Sequence, residues 1–107
     1  MGKVTIILDT VSAAVTEAGN TVGTAINCQL IEDEVGAVQF KRTAGTCDEV
    51  ELQGRLHPDL GWVEIATSGA LGSGTNEVLQ TGVSILPQMR AVMKNAAAAE
   101  VKVALLE

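Results

Sequence analysis

The residue types able to do chemistry in this chain are few and scattered. Its one histidine, His57, stands two positions before Asp59 in His57-Pro58-Asp59-Leu60-Gly61, a spacing at which a carboxylate could orient an imidazole as a general base. Such a base also needs a nucleophile and an oxyanion pocket, and Ser68, Ser73 and Ser84 have no nucleophile signature around them. His57 therefore reads as a turn residue, and a lone histidine cannot build a multi-histidine metal site. Cys28 and Cys47 lack a CxxC pair or a nearby histidine, so they read as small core residues. A disulfide is open to them only if their strands are neighbours. Glu32-Asp33-Glu34 lacks the DxDxDG spacing of a calcium loop and reads as a solvated turn. The glycines between Ser68 and Thr75 are followed by no Lys-Ser or Lys-Thr, which argues against a phosphate loop. A glycosidase pair among the Asp and Glu residues is recognisable only from a distance in space, which sequence does not supply. The reading is of a protein that is not an enzyme, with no cofactor and no metal site.

The elements that would position these residues are strands. In Asp48 to Thr67, Val50, Leu52, Gly54 and Leu56 share one parity and Glu49, Glu51, Gln53 and Arg55 the other, which gives one apolar and one polar face. His57 to Gly61 break the alternation, and Trp62, Val63 and Ile65 resume it, so the stretch is a β-hairpin. Further strands are expected at Lys3 to Leu8, with Val4, Ile6 and Leu8 on one side, and at Ile26 to Leu30. Val38 and Phe40 mark another with both side chains in the core, and Thr43 to Thr46 are expected to turn the chain into the hairpin. Asn76 to Thr81, Met89 to Lys94 and Val101 to Leu105 complete about eight. Asp9 to Gly23 reads as an extended arm and loop, with a short helix at Ser12 to Ala18 as the alternative. The run Asn95 to Ala99 is too short to nucleate a helix and is assigned to a connection. The fold class is all-β: an antiparallel β-sandwich, jelly-roll-like, in one domain over residues 1–107 with an extended N-terminal segment.

A chain of 107 residues that is 47% hydrophobic and 19% charged is expected to fold around a single core. With only Phe40 and Trp62 as aromatics, that core is built from aliphatic side chains. The formal charge of −6 repels nucleic acid and anionic lipid, so neither is an expected partner. Asp9 and Thr10 interrupt the first apolar run well short of a signal-peptide core or a membrane span, which implies a soluble cytoplasmic product.

One resemblance sharpens this. Leu52, Gln53, Gly54, Leu56, Asp59, Gly61 and Trp62, then Val63, Ile65, Ala66 and Thr67, resemble a motif of small bacteriophage virion proteins with a β-sandwich fold, in which a strand ending "leGSlDG" precedes a Trp and a short apolar strand. Pro87 to Val92 is similar to the "P-x-x-R-V-x-V" strand of that unit, and Glu100 to Leu106 to its closing "g-x-V-x-V-x-L" strand. Ser12 to Thr24 is similar to its Gly- and Ala-rich lead-in. His57-Pro58 lengthens the usual turn, and Ala96 to Ala99 replace a Gly-containing one. The resemblance implies a capsid decoration, or cement, protein that binds the major capsid protein shell as a homotrimer, made in the host cytoplasm and carried on the capsid surface of the virion. It equally covers neck and tail components, and a carbohydrate-binding β-sandwich is the reading from another class, with Trp62 as its one candidate platform. The candidate partner interface is Val4, Ile6, Ile7 and Leu8 of the N-terminal segment together with Val92 and Leu106.

Overall fold

Alternating polarity folds here into ten strands and, among the described residues, no helix. The computed structural model describes residues 4–9, 15–17, 20–28, 35–71, 77–95 and 97–106. The strands are β1 (Val4–Asp9), β2 (Val15–Glu17), β3 (Asn20–Val22), β4 (Ile26–Asn27), β5 (Val35–Thr46), β6 (Glu49–Arg55), β7 (Val63–Thr67), β8 (Glu77–Ser84), β9 (Gln88–Lys94) and β10 (Ala97–Leu106). One sheet, A, has the order β1-β10-β5-β8, and the other, B, the order β2-β3-β9-β6-β7 with β4 also on β9. Every pairing between these strands is antiparallel. The protein is an all-β antiparallel sandwich, and the pairing establishes this two-sheet order rather than a jelly-roll label.

The core lies between the sheets. Sheet A contributes Val38, Phe40, Val101, Val103 and Leu105, and sheet B contributes Val50, Leu52, Met89, Ala91 and Met93. These are the parity sets that the sequence assigns inward, and burying each aliphatic side chain is worth roughly 1.5–3 kcal/mol. Ser68 extends the β6–β7 hairpin by one rung. Its backbone N–H donates to the Val50 carbonyl at 2.9 Å, and the Val50 N–H donates to the Ser68 hydroxyl oxygen at 2.9 Å.

Several strand ends differ from expectation. Leu56 lies beyond β6 and is exposed, so the apolar face ends at Gly54. Thr43 to Thr46 do not turn but stay in β5, because β10 runs alongside them as far as the Ala97 to Thr46 pair. The alanines from Ala97 onward belong to β10 rather than to a connection, and the turn is made at Asn95, which takes a positive φ that asparagine tolerates. Val15–Glu17, in the stretch read as an extended arm and loop, is extended and pairs with β3. The predicted second strand is reduced to β4, with Gln29 and Leu30 outside the described residues. At Gly82, also at positive φ, β8 carries one extra residue against β5, which switches its inward parity from Val78 to Val83.

Candidate functional site

A two-sheet sandwich has two outer faces, and on this one they differ in kind. On sheet B the outward side chains of β6 and β9 satisfy one another. The Arg55 Nε–H donates to Gln88 at 2.6 Å, and the Gln88 amide donates to Asn27 at 3.0 Å. The Arg90 Nε–H donates to Gln53 at 2.8 Å, and the Gln53 amide donates to Glu51 at 3.1 Å. Glu51 in turn pairs with Lys94 at 3.2 Å. Trp62 lies at the end of this network, with the Arg55 and Arg90 guanidinium carbons 4.2 and 4.6 Å from its ring centroid. Both contacts have cation–π geometry, which Arg makes readily because its planar cation is weakly hydrated.

Carboxylate oxygens of Glu49, Glu51 and Glu64 lie within 4.8 Å of one another on the same face. Sequence reasoning did not single these three out, because their convergence depends on the β6–β7 register. Lys94 and Gln53 hold Glu51, and the Thr67 hydroxyl donates to Glu49 at 2.7 Å, so two of the three acids already have partners.

The outer face of sheet A is different. Register places Val4, Leu106, Ala37 and Thr81 in one row across β1, β10, β5 and β8, and Ile6, Ala104, Gln39 and Leu79 in the next. Val35 extends the patch along β5. Of the eight exposed large hydrophobics among the described residues, these rows and Val35 account for five: Val4, Ile6, Val35, Leu79 and Leu106. A shallow depression of about 170 Å³ runs between Val4, Ala37, Leu79, Ala104 and Leu106. The next row along the strands is charged: Asp9, Lys102, Lys41 and Glu77.

The sequence-derived interface set is divided by this geometry. Val4, Ile6 and Leu106 lie on the sheet A face, 65, 51 and 39% exposed. Ile7, Leu8 and Val92 do not reach the surface, retaining 3, 1 and 3%. The cause in β1 is a bulge: Ile6 opposes Ala104 and Leu8 opposes Val103, so Ile7 is the extra residue and strict alternation fails. Ile7 and Leu8 both enter the core, while Val4 and Ile6 stay outside. Val92 does face away from the core, as its parity requires, but it sits opposite Val22 in the interior of sheet B, and the two valines bury each other's surface. Leu79, Ala37 and Ala104 were missed. Leu79 stands in the alternating segment Val78-Leu79-Gln80, and only pairing with β5 shows which side faces out.

The remaining sequence candidates do not converge. His57 and Asp59 are exposed in the hairpin turn, and the Asp59 backbone N–H donates to His57 Nδ1 at 3.1 Å. That nitrogen also lies 3.6 Å from the Asp59 carboxylate, a contact that becomes an ion pair only if Nδ1 gains a proton. The N–H geometry fits the neutral ring, in which Nδ1 is an acceptor and Asp59 orients no base. Ser68 spends its hydroxyl on Val50 and on the Gly69 carbonyl, Ser84 is exposed on β8, and Ser73 lies outside the described residues. Cys28 and Cys47 are both free thiols. Burial pushes the Cys47 thiol up, Asp48 adds to the rise and Arg42 opposes it, so Cys47 stays protonated and unreactive at neutral pH. Glu32-Asp33-Glu34 lie outside the described residues.

No protein family, curated protein or solved structure matches the chain.

Proposed function

We propose that this chain is a non-enzymatic bacteriophage virion structural protein, a capsid decoration protein that binds and stabilises the assembled shell of the major capsid protein. The observation that carries the reading is the outer face of sheet A, where Val4 and Ile6 of β1, Ala104 and Leu106 of β10, Ala37 of β5 and Leu79 of β8 form an apolar patch across four paired strands. A decoration protein must add contact area to coat subunits without enclosing a substrate, and a flat apolar sheet face does that. Rigid strands keep the patch in one shape, so it can be repeated by symmetry over a lattice, and assembly as a trimer would let three such faces bind together. The resemblance of the β6–β7 hairpin to phage virion proteins supplies the setting.

Trp62 bears on the carbohydrate-binding alternative. Two guanidinium groups already lie against its ring and compete with a sugar for it. That favours a structural role for Trp62. The neck or tail alternative differs in stoichiometry. Quantitative mass spectrometry of purified virions is expected to find this chain in fixed proportion to the coat protein. A handful of copies per particle would move the assignment to the neck or tail, and absence from the virion would overturn it. Light scattering on the purified protein, expected to give a trimer, tests the oligomer separately.

A further inference from the structure

The basic residues of this acidic protein are unevenly committed. Arg55 and Arg90 lie on Trp62, Lys94 pairs with Glu51, and an Arg42 guanidinium N–H donates to the Gly45 carbonyl at 2.8 Å. Among the described residues, the side chains of Lys41 and Lys102 make no hydrogen bond or ion pair. They are direct cross-strand partners on β5 and β10, at the centre of the register row that Asp9 on β1 and Glu77 on β8 complete. Glu77, the register neighbour of Lys41 on β8, receives the Gln39 amide at 2.7 Å. The lysine pair borders the apolar patch directly, since Ala104 and Gln39 occupy the adjoining row. Two adjacent exposed lysines beside exposed apolar surface, in a chain of charge −6, supply the local positive charge that an acidic rim would meet.

We infer that the outer face of sheet A docks a protein surface that is apolar at its centre and carboxylate-bearing at its rim, with Lys41 and Lys102 reading the rim. The inference rests on the proposed function, which makes that surface part of the coat shell, and it adds the partner's chemistry and the two residues that select it. A second copy of this chain is the weaker occupant. Its own sheet A face carries the same Lys41–Lys102 pair rather than an acidic rim.

The test combines zero-length carbodiimide cross-linking of purified virions with the binding of recombinant protein to undecorated coat shells. Carbodiimide joins an amine to a carboxylate in direct contact, so Lys41 or Lys102 should be found linked to an Asp or Glu of the coat protein. The K41Q/K102Q variant should bind shells on the order of tenfold more weakly at low ionic strength, with the difference shrinking as salt rises. Its thermal unfolding should match the wild type, which separates docking from folding. If the wild type binds shells while the variant binds equally well and neither lysine is cross-linked, the inference is overturned and the proposed function stands. Cross-links from these lysines to another copy of this chain also overturn it. A chain found in few copies, with these lysines linked to carboxylates of a neck or tail protein, ends the shell reading but supports the docking chemistry. Absence from the virion overturns both.

Discussion

The outer faces of sheets A and B start from the same rule, that every second side chain of a strand points away from the core, yet they reach opposite ends. On sheet B the outward residues of β6 and β9 are long and polar, and the register sets donors opposite acceptors: Gln53 faces Arg90, and Arg55 faces Gln88. That face is closed on itself, with Trp62 held at its end. On sheet A the outward residues Val4 and Ile6 of β1, Ala104 and Leu106 of β10 and Leu79 of β8 are apolar, and the two lysines that border them face each other. The contrast teaches that exposure alone does not identify a docking surface. What marks sheet A is the exposed apolar surface at Val4, Ile6, Leu79 and Leu106, whereas the outward polar groups of β6 and β9 on sheet B pair with one another.

The largest effect should come from breaking the frame that presents the sheet A face. A Cβ at Gly36 would run into the Leu106 main-chain oxygen and come within 2.8 Å of the Ile85 side chain, where backbone cannot yield. Gly36→Val is expected to cost about 3 kcal/mol or more, read as a large drop in the denaturant midpoint, and to abolish shell binding as sheet A is forced open. Next, Trp62→Ala removes two cation–π contacts and should cost about 1–2 kcal/mol while leaving shell binding intact. Loss of shell binding by a folded Trp62→Ala protein would reverse the assignment of the two faces. The smallest effect on stability belongs to Leu79→Ser with Leu106→Ser. Both side chains are exposed, so unfolding should change by about 0.5 kcal/mol or less, yet shell binding should fall sharply in the same samples. A double variant that binds normally would show that the patch is only an exposed surface.

How much of this was legible in the sequence depends on how local each feature is. The inward faces of β6, β9 and β10 could be read from alternation, because Val50 and Leu52, Met89 and Ala91, and Val101 and Val103 obey a period of two without interruption. Alternation failed at β1, where the bulge at Ile7 puts consecutive residues in the core, since a bulge is a relation between two strands. It failed at Val92 for a related reason. Parity gave the correct side of the sheet, but not the neighbour, Val22, that covers it. Trp62 stacks with Arg55, seven positions earlier, and Arg90, twenty-eight positions later, and nothing in the local sequence joins the three.

The sequence by itself determined that this is an all-β protein, where most strands run and which side of the regular ones is apolar, because side-chain direction in an extended chain repeats every two residues whatever lies beside it. Only the tertiary structure decided which strands are neighbours and in what register. That choice sets Val4 beside Leu106, Lys41 opposite Lys102 and two arginines against Trp62. Such pairings join residues far apart in the chain and follow from the packing of whole sheets, so the closed polar face and the open apolar one are both consequences of register.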